Sequence, residues 1–212
     1  MQEKQFKIFF IIGIIMISFI TFIITSNTFH LALVWNTFLA IIPLFMLFLE
    51  KHINNSFLKI IIIIVWILFL PNSFYTLTDL IHIQSLDLYK VINYYEVINL
   101  HHINAWIELL NIFLVSTLGF WIGCINVTLF VRRFHNRFLK ILSVFTLSFL
   151  CSIGIYMGRF LRFNSWDIIN PFNIMKTFID NINLFTIQFV VIMTMFIFIS
   201  CLLYYRKNAL IK

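Results

Sequence analysis

Charge is scarce in this sequence of 212 residues: Asp, Glu, Lys and Arg together make up only 11% of it. An ordinary soluble domain carries roughly 25%. Hydrophobic residues make up 62%, more apolar surface than a soluble fold of this length can hide. Glycine and proline are also rare, at five and three. That excludes flexible linkers and low-complexity spacers, and the chain reads as one integral membrane domain, 1–212. The three cysteines, Cys124, Cys151 and Cys201, all sit inside apolar runs. No Cys/His metal spacing occurs, so they read as small buried hydrophobes and no metal site is expected.

The remaining residues form long apolar runs. No Asp, Glu, Lys or Arg occurs from Ile8 to Leu49, a stretch too long for one span of about 20 residues. Ser26-Asn27-Thr28-Phe29-His30 divides it. The expected spans are 8–25, 31–49, 55–70, 109–131, 141–158 and 184–205, which gives an all-α polytopic bundle of about six transmembrane helices. Lys4 and Lys7 precede the first span, but its apolar core is long for a signal peptide, so an uncleaved helix is expected. Pro43 is placed to kink the second span, and Pro71 to end the third. The segments 71–108 and 159–183 are expected to lie along the membrane interface, the first as short amphipathic helices.

The net charge of +7 does not indicate nucleic-acid binding, because the basic residues sit between apolar runs where membrane topology places them. With the N-terminus in the cytoplasm, Lys4, Lys7, Lys51, Lys59, Arg132, Arg133, Arg137, Lys140, Arg206, Lys207 and Lys212 are inside. Only Lys90, Arg159, Arg162 and Lys176 are outside. The bias predicts both termini in the cytoplasm. Tyr89, Tyr94, Tyr95 and Trp106 read as an interfacial aromatic belt. Phe, Ile and Asn are frequent throughout, which resembles the residue usage of an AT-rich genome and lowers the weight of any single Asn.

Four of the five glycines form two pairs with G-x-x-x-G spacing, Gly119/Gly123 and Gly154/Gly158. Small residues four apart let helices approach closely in lipid. They read as packing within the chain or as the seam of a homodimer. Two polar stretches fall on the outer side of the expected topology. One is Leu70-Pro71-Asn72-Ser73-Phe74-Tyr75-Thr76-Leu77-Thr78-Asp79-Leu80-Ile81-His82. The other is Gly158-Arg159-Phe160-Leu161-Arg162-Phe163-Asn164-Ser165-Trp166-Asp167. The topology lets them converge on one face. Asp79 and His82 are three apart and share a helical face, as do Arg159 and Arg162. A third stripe, His101, Asn104 and Glu108, has i, i+3, i+7 spacing at the start of span four.

These stretches resemble the bacterial multipass membrane proteins grouped as domain of unknown function 1361. Tyr94-Tyr95-Glu96 is a weaker match, with Glu where that pattern has Asp. The resemblance implies an uncharacterised protein of the bacterial cell membrane and carries no mechanism or cofactor.

Three functional classes stay open. The leading one is a non-enzymatic membrane protein whose outer cluster is structural or binds an envelope or lipid partner. Its contact residues would be Arg159, Arg162, Asn72, Tyr75 and Asn164. The alternative is a membrane enzyme in which Asp79, His82 and Asp167 supply acid/base groups or metal ligands, and the arginines hold an anionic, phosphate- or lipid-linked substrate. No H-E-x-x-H, G-x-S-x-G or phosphate-binding glycine loop supports that class. A small transporter is the third, disfavoured because the span interiors carry almost no ionisable residues.

Overall fold

The computed structural model of the chain describes residues 2–93, 96–164, 167 and 169–210. The fold is all-α and polytopic. Among the described residues there are seven α-helices: α1 (Gln2–Thr25), α2 (Phe29–Glu50), α3 (Ser56–Tyr75), α4 (Ile103–Val131), α5 (Arg137–Arg159), α6 (Pro171–Asp180) and α7 (Leu184–Leu210). A 3-10 helix (Thr76–Ser85) and a hairpin of β1 (Tyr89–Asn93) and β2 (Glu96–Asn99) lie between α3 and α4. Among the described residues, five helices are long and apolar enough to cross a membrane, and a shorter apolar helix covers Ile12–Thr25. In hydrocarbon every backbone group must bond within the chain, which is why these runs fold as helices.

Asparagine opens most of the helices. Asn27 Oδ1 accepts from the Phe29 N–H at 3.0 Å, and Asn55 Oδ1 accepts from Phe57 and Leu58 at 2.9 and 3.2 Å. Asn136 does the same for α5, Asn170 for α6, and Asn183 for α7 through the Thr186 N–H at 3.0 Å. The first N–H groups of a helix have no acceptor within it, and a side-chain oxygen supplies one. The asparagines discounted as genomic bias thus mark helix starts.

The chain divides into two compact units, Met1–Phe38 with Thr76–Leu118, and Leu39–Tyr75 with Gly119–Lys212. The second holds the apolar core, including Leu47, Trp66, Leu70, Phe74, Val127, Leu147, Ile155 and Ile197. Trp66 stacks on Phe130 with ring centroids 4.6 Å apart, and its Nε1–H donates to Asn126 Oδ1 at 3.2 Å. The Asn126 amide donates in turn to the Ile122 carbonyl at 3.0 Å. Burying an indole or amide in a membrane core requires such partners. Cys124, Cys151 and Cys201 are free and buried here.

Pro71 does not end the third span, contrary to the sequence expectation. It sits inside α3, which continues to Tyr75. That last turn is held from outside the helix. A methyl group at Gly154 would come within 2.7 Å of the Pro71 ring, one at Gly123 within 2.6 Å of Phe74, and one at Gly158 within 3.3 Å of Tyr75. The turn is therefore locked into gaps that glycine leaves on α4 and α5. Ser73 Oγ adds a bond to the Ala40 carbonyl at 2.8 Å. That carbonyl lies in the turn of α2 before Pro43, where proline weakens the helical ladder.

Two further expectations are corrected. The segment after Pro71 is helical only in part: a short 3-10 helix covers Thr76–Ser85, but beyond it the chain forms an antiparallel hairpin where further short helices were expected. Its register pairs Tyr89 with Asn99, Lys90 with Ile98 and Val91 with Val97, with an irregularity between Val91 and Asn93. Val91, Ile92, Val97 and Ile98 are β-branched and favour this extended pairing. Second, α4 begins at Ile103, ahead of the expected start near Leu109. His101 therefore precedes the helix and does not share a helical stripe with Asn104 and Glu108.

Candidate functional site

The polar chemistry of the first unit begins where α1 ends. Ser26 has φ 55°, a left-handed turn, and Asn27 then caps α2. This places His30 in the first turn of α2 with its side chain fully buried. Asn111, one turn along α4 from Glu108, is also buried. Its Nδ2 lies 2.8 Å from His30 Nδ1, and its Oδ1 accepts from Ser18 Oγ of α1 at 2.8 Å. Ser18 Oγ has a second acceptor, the Ile14 carbonyl, at 3.1 Å. With the Asn111 amide as donor, the imidazole carries its hydrogen on Nε2. Nε2 has no hydrogen-bond partner and lies 3.5 Å from Glu108 Oε2. The same carboxylate oxygen accepts from Asn27 Nδ2 at 2.9 Å. Ser18, Asn111 and His30 thus form one hydrogen-bonded segment and Asn27 and Glu108 another, and the two meet at the 3.5 Å approach of Nε2 to Oε2.

Asp79 and His82 lie in the same unit on the 3-10 helix, where residues three apart are eclipsed and share a face. Asp79 is 2% exposed, and its Oδ2 accepts from Asn36 Nδ2 of α2 at 2.9 Å. The His82 ring packs on Phe29 with centroids 4.0 Å apart. Thr76 Oγ1 ties the start of this helix to the Ser116 carbonyl at 3.3 Å.

The other candidates lie in the second unit. Asn72 Nδ2 donates to the Phe69 carbonyl at 3.2 Å. Tyr75 packs against Gly158, and the Arg159 guanidinium carbon lies over its ring, 4.5 Å from the centroid. The structure therefore joins Tyr75, within the first sequence stretch, to Gly158-Arg159 at the start of the second. Past α5 the backbone turns left-handed at Arg162, φ 59°, whose side chain is exposed. Asp167 Oδ2 accepts from the Asn164 N–H at 2.6 Å, closing the turn that follows. Gly119 is buried in α4. Ser165, Trp166, Tyr94, Tyr95 and the Glu96 side chain lie outside the described residues. Among the described residues no three His, Cys, Asp or Glu side chains are grouped to hold a metal ion.

Sequence reading missed Ser18, Asn27, His30, Asn36 and Asn111. A usable signal was present: polar residues that recur within otherwise apolar runs are costly in lipid and need partners.

A family model described as "Protein of unknown function (DUF1361)" matches residues 35–200. No curated protein and no solved structure matches the chain.

Proposed function

Because the chain belongs to this family of proteins of unknown function, DUF1361, we propose a role for it from its own chemistry. It is a non-enzymatic multi-pass protein of the bacterial cell membrane that presents Arg162, at the extracytoplasmic end of α5, to an anionic lipid headgroup or envelope component.

The conformation of Arg162 carries this reading. A left-handed backbone costs a side-chain-bearing residue about 1–2 kcal/mol, and glycine avoids that cost. An exposed arginine held at φ 59° keeps a strained conformation while directing a guanidinium outward, a pattern found at ligand clamps. Guanidinium binds phosphate and carboxylate oxygens two at a time. The acid/base candidates support the non-enzymatic side. Asp79 is engaged by Asn36 and Asp167 by the Asn164 backbone, contacts that tie the 3-10 helix to α2 and close the turn after α5.

The test compares Arg162→Gly with Arg162→Lys in detergent. Native mass spectrometry would read the anionic phospholipid retained, and thermal unfolding would read stability. Arg162→Gly should lose retained lipid while gaining about 1 kcal/mol of stability. Arg162→Lys should keep part of the lipid. Unchanged retention in the glycine variant rejects the role.

A further inference from the structure

We propose that His30 and Glu108 form a proton-binding site inside the helical region, in which Asn111 and Ser18 switch their hydrogen bonds as the proton arrives.

Ser18 Oγ has two acceptors within reach, Asn111 Oδ1 at 2.8 Å and the Ile14 carbonyl at 3.1 Å. One hydroxyl hydrogen can serve only one of them well. Suppose the Asn111 amide turns over. Oxygen and nitrogen exchange places in nearly the same volume. Its NH₂ then donates to Ser18 Oγ, the Ser18 hydroxyl donates to the Ile14 carbonyl, and Oδ1 faces His30 Nδ1. The network is as fully bonded as before, but it now accepts a hydrogen from Nδ1 where it previously donated one.

The two arrangements therefore fit two states of the imidazole. In the first, Nδ1 is an acceptor and the ring is neutral. In the second, Nδ1–H donates to Asn111 and Nε2–H faces Glu108, so both nitrogens carry hydrogen. The first state leaves Nε2 buried with no hydrogen-bond partner, 3.5 Å from a carboxylate oxygen. A full positive charge on the ring would turn that approach into an ion pair. Uptake forms one N–H bond on the imidazole and breaks one O–H bond of hydronium. The charge of the pair goes from −1 to zero. Glu108 is the less buried partner at 13% exposure, against 0% for His30.

The elements around the site carry few other titratable groups. Ser18 is the α1 contribution, and it does not titrate in this range. On the 3-10 helix, Asp79 is engaged by Asn36, and His82 packs on the Phe29 ring beside His30. His101 and His102 precede α4 and are exposed.

The experiment uses the full chain, nitrogen-15 labelled at histidine and asparagine, in nanodiscs of zwitterionic phosphatidylcholine. His30 is assigned as the signal that disappears in His30→Gln. As pH falls, both His30 ring nitrogens should move to imidazolium values, and the Asn111 side-chain amide should shift at the same midpoint. Glu108→Gln should move that midpoint by about one pH unit or more. Three results would each overturn the proposal: a single neutral His30 tautomer from about pH 4 to pH 9, an Asn111 amide that ignores the His30 titration, or a midpoint untouched by Glu108→Gln. If Glu108→Gln fails to fold, co-titration of His30 and Asn111 in the wild-type chain decides.

Discussion

The two units solve the problem of burial in lipid in opposite ways. The second is held by shape: Trp66 stacks on Phe130, and the last turn of α3 fills the gaps left by Gly123, Gly154 and Gly158. The first, among its described residues, buries more polar side chains than apolar ones, including Ser18, His30, Asp79, Asn111 and Ser116. In lipid, apolar burial by itself drives little association, so close packing and interhelical hydrogen bonds remain as the available forces. Each unit relies mainly on one of them. A packed unit should tolerate loss of a hydroxyl and resist a change of volume. A polar unit should behave the other way.

The largest expected effect tests the packed side. Trp66→Ala should destabilise the chain by about 3–5 kcal/mol, because it opens a cavity and strands the Asn126 amide oxygen. Chemical unfolding in bilayer discs measures it, and a loss under about 1 kcal/mol would mean that the stack with Phe130 is not a core contact. Gly154→Ala comes next at about 1–3 kcal/mol, through overlap with Pro71. Combining it with Pro71→Ala should recover much of that loss, and strict additivity of the two would break the size-matching argument. On the polar side, Asn111→Leu should cost about 1–2 kcal/mol, since it leaves Ser18 and His30 without their shared partner. If it costs more than Trp66→Ala, the contrast between the units is reversed. The smallest effect belongs to the ion pair of Arg133 and Glu50, at 2.8 Å with Arg133 a third exposed. Arg133→Ala should cost about 0–1 kcal/mol, and less in high salt.

The sequence made the spans legible because a helix in lipid announces itself by composition alone. The glycine pairs were legible as close-approach sites, but their partners were not. Nothing local to Gly123 or Gly154 indicates that Phe74 and Pro71 fill the space beside them. The same limit hid the join of Tyr75 to Arg159, two residues flagged in separate stretches. Pro71 was misread because its missing N–H is a local fact, whereas the lock that carries the helix on to Tyr75 is a tertiary one. The hairpin was missed because β-branched runs serve spans and strands alike. His30 was taken as part of a breaker, and Asn111 was discounted by composition. Their significance lies in meeting each other across 81 residues, a distance over which periodicity carries no information.

The lock at the end of α3 also bears on biosynthesis. Tyr75 leaves the ribosome well before Gly123, and earlier still than Gly154 and Gly158. At about 5–20 residues per second the wait for α5 lasts on the order of several seconds. During that interval α3 has to reside in the bilayer with the proline-containing turn not yet seated. Insertion of this helix and its final docking are therefore separate events, and a factor that shields a nascent span would act in the gap between them.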